Sequence, residues 1–364
     1  MRRIAGWLGR ILLALLVAAL LAPSVLPPFL DRIYYRGPVS DHFNGERFFN
    51  PDGEQGTGGG QRNRALLTFI LGEDRVKWPD HVPVTPSRPP ARVAGEAMRV
   101  TWIGHSTVLV QTQGLNILTD PIWSERASPF SFIGPKRVRA PGVRFDDLPR
   151  IDLVLLSHNH YDHLDLATLE RLWRRDRPLI VTGLGNDTLL GWHDIPARAL
   201  DWGQVLAIRP GIAVKSERVH HWTSRWMVDR DRALWTGFAV ALPSGGNLYF
   251  AGDSGEGDGS WAAVAARDGP YRFALIPIGA YRPRGLMSGN HIDPAEAVAA
   301  FEKLGVQDAL GIHWGTFQLS HEGVDEPPAD LRTALHAARI DSARFRTLEA
   351  GQSWDIPPLT GSPP

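Results

Sequence analysis

No cysteine occurs in the 364 residues. That absence excludes disulfides, thiolate metal ligands and a thiol nucleophile together, and leaves imidazole and carboxylate as the groups available to bind a metal. Net charge is missing too: 39 basic and 39 acidic side chains cancel, so no overall field draws the chain to nucleic acid or another polyanion. Lysine supplies only 4 of the 39 basic residues, an imbalance that reads as genome composition. No repeat of short fixed period is visible, and the uninterrupted apolar run Ile11–Ala22 is shorter than the roughly 20 residues a bilayer-spanning helix needs. What is present in quantity is apolar residue, 43% of the chain, enough for one large domain.

Arg2 and Arg3 stand before the apolar run, the layout of a secretory signal. Counting from Ile4 and admitting Arg10 near the edge makes a membrane span possible, and Leu20-Leu21-Ala22 lacks the small residue expected two positions before a terminal Ala. Residues 1–30 are therefore read as an uncleaved transmembrane anchor, with a cleaved signal as the alternative. Positive charge inside then places the rest of the chain at the bacterial inner membrane on the periplasmic side. Residues 31–97, rich in Pro, Gly and Arg, read as a wrapping extension. Their Gly56–Gly60 stretch lacks the flanking strand and helix of a phosphate loop.

From Met98 the pattern changes to short strands, predicted at 99–103, 107–112 and 115–119, then at 151–157, 179–182, 212–219, 236–242, 248–251, 273–276 and 309–311. Helical spacing is predicted at 164–174, 261–266, 294–304 and 329–338, with Pro294 in the first turn of the third and Gly305 after its end. Two runs of strands, each followed by helices, suit two packed sheets with helices outside over residues 98–356.

The apolar strand from Ile151 stops after Ser157, within the stretch Ser157-His158-Asn159-His160-Tyr161-Asp162-His163-Leu164-Asp165. Side chains alternate along an extended chain, so His158 and His160 face one way and can grip one ion. Three imidazoles and a carboxylate within six residues suit Zn²⁺, or two such ions sharing the cluster. Three later positions put a ligand-type residue just after an apolar strand: His221 in His220-His221-Trp222, Asp253 in Ala251-Gly252-Asp253-Ser254, and His313 in Gly311-Ile312-His313-Trp314. Singly each fits an ordinary turn. In this order after the motif they form a pattern.

His-x-His-x-Asp-His is the central motif of the metallo-β-lactamase superfamily, and residues 157–165 resemble it throughout. Further segments, Thr101–Ser106, Leu118–Pro121, His221-Trp222, Phe250–Asp253, Ile276–Tyr281, His291–Pro294 and Ile312–Phe317, with Phe43–Pro51 upstream, resemble its N-acylphosphatidylethanolamine-hydrolysing phospholipase D branch. The resemblance implies an αββα sandwich of two mixed sheets and two Zn²⁺ per chain. One zinc would be held by His158, His160 and His221, the other by Asp162, His163 and His313, with Asp253 bridging. His221 is preferred to His220 because the family's ligand precedes Trp. His291 falls where the family places a histidine beside the substrate phosphate, so Asp253 and His291 are the expected catalytic residues. Tyr281, Trp222 and Trp314, with Trp226 and Phe317, are expected to line an acyl-chain groove.

The implied reaction is hydrolysis of a phospholipid phosphodiester by water activated between the two metals, which needs no covalent nucleophile. The alternatives are a lactonase or a soluble cyclic phosphodiesterase on the same scaffold, or a membrane-tethered binding module with a structural metal. Structural zinc sites are closed by four protein ligands, whereas three per ion leave room for water and substrate. Two motifs mislead. Gly252-Asp-Ser-Gly255 imitates a protease nucleophile segment, but no matching histidine segment precedes it. Gly183-Leu-Gly185 imitates a dinucleotide loop, but residue 188 is Thr where a third glycine belongs.

Overall fold

The computed structural model describes residues 2–25, 32–53, 66, 69, 71–72, 74–226 and 228–359. The glycine-rich stretch 56–60 and residues 26–31 lie outside them.

Two seven-stranded sheets face each other. The first contains β1 (Met98–Gly104), β2 (Thr107–Thr112), β3 (Leu115–Thr119), β4 (Leu153–Leu156), β5 (Leu179–Gly183), β6 (Arg198–Leu200) and β14 (Ser353–Ile356), in the order β14-β1-β2-β3-β4-β5-β6. The second contains β7 (Val205–Arg209), β8 (Ile212–Glu217), β9 (Gly237–Ala241), β10 (Asn247–Phe250), β11 (Tyr271–Pro277), β12 (Asp308–Ile312) and β13 (Phe345–Arg346), in the order β13-β12-β11-β10-β9-β8-β7. Both are mixed: pairing is antiparallel from β14 through β3 and from β7 through β10, and parallel from β3 through β6 and from β10 through β13.

The strand period of two decides where each side chain goes. Along β4, Leu153 and Leu155 enter the core between the sheets with Val100, Val110, Phe238, Phe250 and Leu275. Val154 and Leu156 point the other way, against Leu169 and Leu172 of α2 (Leu166–Asp176) and Leu189 and Leu190 of α3 (Asn186–Gly191). A strand buried on both faces must be apolar throughout, and Leu-Val-Leu-Leu is. On the second sheet's outer side, α6 (Pro294–Leu304) packs on β11 and between α4 (Ser260–Ala265) and α7 (Glu326–Ala338). The result is the αββα sandwich. Asp293 caps α6 by accepting from Ala295 N and Glu296 N, both at 2.9 Å, while its own N–H donates to Glu296 Oε2 at 2.8 Å. This reciprocal cap satisfies three of the helix-end donors. A one-turn helix, α5 (Arg284–Met287), stands before it.

Sequence reasoning passed over α3, α5, β6, β7, β13 and β14. They are short, and β14 exists because the chain returns to pair with β1, Met98 opposite Ile356, a partner no local window contains. The stretch ahead of β1 lies on the sandwich: Phe43 and Phe48 join the inter-sheet core, and Trp78 Nε1 donates to Glu322 O at 2.7 Å.

The expected membrane anchor requires correction. Residues Arg2–Val25 do form a helix, α1, whose side chains from Trp7 to Val17 and at Leu21 are exposed. Among the described residues, however, no helix is long and apolar enough to cross a membrane. Arg10 interrupts the apolar run after only a few residues, and the uninterrupted run Ile11–Ala22 is shorter than the roughly 20 residues required. The transmembrane reading, and with it the placement on the periplasmic side of an inner membrane, loses its basis.

One glycine marks how closely the sheets' strand ends approach. Gly252, after β10, has φ +63°, and a Cβ there would lie 2.6 Å from Ser157 Cβ, just past β4. Gly252→Ala is expected to lower unfolding stability by about 1–3 kcal/mol, read from the urea midpoint; an unchanged midpoint would show that this approach tolerates a side chain.

Candidate metal centre

The chemistry-bearing residues follow the C-terminal ends of strands. His158, His160, Asp162 and His163 come after β4, His221 after β8, Asp253 after β10 and His313 after β12. At a strand end the backbone stops alternating and can aim side chains across the gap between the sheets. Several positions have left-handed backbone conformations: His105 after β1 (φ 54°), Asp120 after β3 (φ 31°) and His313 (φ 63°). For residues other than glycine this costs on the order of 1–3 kcal/mol each, and such positions gather at functional sites.

Asp253 Oδ2 is the centre of the cluster. It lies 3.1 Å from His163 Nε2, 3.0 Å from His313 Nε2, 3.8 Å from His221 Nε2 and 4.0 Å from His158 Nε2. On one side, His160 Nδ1 is 2.9 Å from His158 Nε2 and 3.4 Å from His221 Nε2. On the other, Asp162 Oδ2 is 3.3 Å from both His163 Nε2 and His313 Nε2. Donors about 2.0–2.1 Å from one tetrahedral zinc stand about 3.4 Å from each other, and both groups have that spacing. All seven are fully or nearly fully buried except His160, which is partly open.

The hydrogen bonds behind the rings determine which nitrogen faces inward. Ser157 Oγ donates its single proton to Asp120 Oδ2 (2.6 Å), so it must accept from His158 Nδ1 at 2.8 Å. His163 Nδ1 donates to Asp120 Oδ2 at 2.6 Å, and His221 Nδ1 donates to the carbonyl of Asn290 at 2.9 Å. Carboxylates and carbonyls can only accept, so each ring has its N–H outward and its Nε2 inward. Asp253 Oδ1 and His160 Nε2 are buried without a hydrogen-bond partner.

The electrostatics agree with a site built for cations. Burial holds His158 and His221 well below the usual imidazole range and pushes His160 down to about 3, so these three are neutral, as metal ligands must be. Burial opposes ionisation of Asp253 and Asp162 as well, but the surrounding imidazoles, His163 foremost, outweigh it and hold both carboxyls well below their ordinary range. Burial likewise resists charging His163 and His313. Asp253 is the strongest opposing influence at each; His163 is carried well above the usual range and His313 up to about 9. Two buried carboxylates thus draw positive charge into the centre, and divalent cations supply it without protons. The donor set and its spacing fit such ions.

The adjacent histidines diverge. His221 turns into the cluster, while His220 turns away, its Nδ1 2.9 Å from Asp52 Oδ2. His291 stands at the rim, its Nδ1 3.8 Å from Asp253 Oδ2, pushed down to about 4 by burial. Trp222 meets the His160 ring edge-on at 4.3 Å between centroids and remains partly open. Trp226 is 37% exposed.

Three aromatic expectations need correcting. Trp314 is 4% exposed, stacks on Trp102 at 4.8 Å and donates Nε1–H to Gly311 O; it packs the core behind His313 instead of facing substrate. Tyr281 is also buried, and its hydroxyl donates to Asp330 Oδ2 of α7 at 2.6 Å, beside a cavity of about 830 Å³ whose walls hold none of the clustered histidines. Phe317 is buried too, under the Arg137 guanidinium. Trp314 follows His313 directly, and as His313 turns into the cluster Trp314 turns into the core.

Two residues of the centre escaped sequence reasoning. His105 Nε2 donates to Asp162 Oδ2 at 2.9 Å, and Asp120 receives His163 and Ser157. The rule that picks out His221, Asp253 and His313, a ligand-type residue just after an apolar strand, fits both.

Comparison with known proteins agrees with this geometry. Residues 115–314 match the Beta-lactamase superfamily domain. The chain is 30% identical over 360 residues to N-acyl-phosphatidylethanolamine-hydrolyzing phospholipase D 1 of Caenorhabditis elegans, covering 92% of this chain and 98% of that protein. It is 32% identical over 236 residues to the mitochondrial N-acyl-phosphatidylethanolamine-hydrolyzing phospholipase D of Saccharomyces cerevisiae, covering 64% of this chain and 50% of that one. In fold it is similar to a metallo hydrolase from the archaeon Ignicoccus hospitalis, with TM-score 0.53 and 20% identity over 72% of this chain and 99% of that one. The chain belongs to the metallo-β-lactamase superfamily, in the branch with the N-acylphosphatidylethanolamine-hydrolysing phospholipases D, and is a metal-dependent hydrolase.

Since only His221 faces the cluster, His221→Ala is expected to cost one bound metal and His220→Ala none, counted by elemental analysis of the purified chain. Loss of metal from His220→Ala with full occupancy in His221→Ala would reverse the assignment.

Proposed function

We propose that the chain cleaves N-acylphosphatidylethanolamine-like phospholipids at the phosphodiester, as a phospholipase D does, with two zinc ions. His158, His160 and His221 would hold one ion, Asp162, His163 and His313 the other, and Asp253 would lie between them. The observation that carries this reading is that the second nitrogens of His158, His163 and His221 are tied outward, so their Nε2 atoms converge on the Asp253 carboxylate. When bound, such a pair makes water acidic enough to attack near neutral pH and offsets the charge of a phosphodiester. Two ions held side by side by a shared carboxylate would be the arrangement of hydrolytic two-metal sites, which argues against a purely structural metal.

The remaining work falls to the chain's own residues. Asp253, buried and acceptor-only, orients water for in-line attack. His291 at the rim offers a hydrogen bond to the departing alcohol oxygen as charge grows on it. Trp222, apolar and partly open beside His160, suits the lipid part of the substrate. The worm and yeast relatives carry N-acylphosphatidylethanolamine hydrolysis in their names, which supports that lipid class over a lactone or a cyclic phosphodiester. A bilayer enters as the medium in which such a substrate is dissolved.

Two measurements test this reading. In ¹⁸O-water, N-acylphosphatidylethanolamine in vesicles should yield unlabelled N-acylethanolamine and phosphatidic acid carrying the label, and removing metal with a chelator should abolish turnover until zinc is restored. Hydrolysis of a lactone or a bis-aryl phosphodiester with no release of N-acylethanolamine would overturn the lipid assignment. His291→Ala should lower kcat by about 10²- to 10⁴-fold with zinc content unchanged; an undiminished kcat would remove His291 from the reaction.

A further inference from the structure

The upstream segment around Phe43–Asp52 lies outside the region matched by the superfamily model, residues 115–314, and has no role in the chemistry described above. Yet it reaches the back of the metal centre. Phe43 and Phe48 anchor it in the inter-sheet core, and Phe48 N donates to Asp231 O at 2.8 Å. Two polar side chains then act on loops that carry ligands. Asn50 Nδ2 donates to the backbone carbonyl of His221 at 2.9 Å. Asp52, with 5% of its side chain exposed, accepts from His220 Nδ1 (2.9 Å) and Arg218 (2.6 Å) in the loop leading to His221, and from Asp258 N (2.9 Å) in the loop following Asp253.

The two loops are also joined directly, since Gly255 N donates to His220 O at 2.6 Å. Their close approach depends on small residues. At Gly257 (φ +57°) a Cβ would lie 2.3 Å from Asp52 Oδ2 and 2.6 Å from His220 Nδ1; at Gly255 it would lie 2.7 Å from the carbonyl of Gly289, next to Asn290, whose own carbonyl receives His221. A buried carboxylate with three donors from two loops fixes their separation, because losing it leaves those donors unsatisfied.

We propose that Asp52, assisted by Asn50, is a positioning residue of the metal centre: it clasps the His221 loop to the Asp253 loop from outside the catalytic domain, with His220 as its latch. The inference rests on the zinc reading above. A residue that holds the protein groups behind metal ligands changes metal retention by about 10- to 100-fold when removed, and its partner on the same latch is coupled to it.

The test loads the full chain with zinc and follows transfer to a chelating dye, alongside thermal melting. Asp52→Ala should release zinc about 10- to 100-fold faster, and Asp52→Asn, which keeps an acceptor for the loop donors, should recover most of the retention. His220→Ala should release zinc faster with two ions still bound at the outset, and the Asp52→Ala/His220→Ala double variant should be little worse than Asp52→Ala alone, since both break one latch. Asn50→Ala, which leaves the buried carboxylate intact, should also release zinc faster and decides the matter if Asp52→Ala does not fold. A lowered melting temperature with the wild-type release rate in Asp52→Ala or, failing its folding, in Asn50→Ala would reduce the segment to ordinary packing and overturn the proposal. So would strictly additive effects in the double variant. A wild-type chain that takes up no zinc would instead overturn the zinc reading itself.

Discussion

The Asp253 carboxylate, buried between two sheets with five imidazoles within 4.0 Å of its Oδ2, is the constraint around which this molecule is arranged. An isolated carboxylate in such a place would take up a proton, because desolvation of the charge costs several kcal/mol. Here the surrounding nitrogens keep it ionised, and a dication is the natural counter-charge. The histidines cannot rotate to relieve the crowding. Asp120, Ser157 and Asn290 hold three of them from behind; Asp120 and Ser157 stand at strand ends, and Asn290 in the loop between α5 and α6.

This explains why the centre lies where the strands stop. Within β4 or β10 every backbone group is committed to the ladder and every side chain to one of two faces. One residue beyond, the chain can adopt the left-handed conformations seen at His105, Asp120 and His313, and side chains from six different strands can meet in one volume. The strain is offset by the apolar sandwich beneath. Both sheets are filled from within by residues such as Trp102, Phe238, Phe250 and Phe273, so the strand ends form a rigid rim. The loop bearing His291 lies on that rim after α5, and a rigid scaffold with varied loops is how one fold can serve several substrates.

Much of this was legible in the chain. The motif at 158–163 depends only on neighbours in sequence, and period-two burial follows from local pattern, so β1 to β5 and the apolar character of β4 were accessible without coordinates. So was α6, whose Asp293-Pro294 start and Gly305 stop are local signals. His221, Asp253 and His313 were accessible as strand-end ligand types, and family resemblance ordered them.

Tertiary structure alone decided the rest, because those features depend on partners far away in sequence. Trp314 and Tyr281 looked like substrate contacts beside the site, but Trp314 packs on Trp102 and Tyr281 reaches Asp330 of α7. His105 and Asp120 belong to the centre only because β1 and β3 end beside β4. His220 and His221 are equivalent in composition and adjacent in sequence; what separates them is that Asp52, 168 residues upstream of His220, waits behind one and Asp253 in front of the other. The sequence by itself determined which groups could bind metal and that two sheets would carry them. Which groups face inward was determined by the packing of strand ends, since a side chain's direction at the end of a strand is set by what the neighbouring strands leave open.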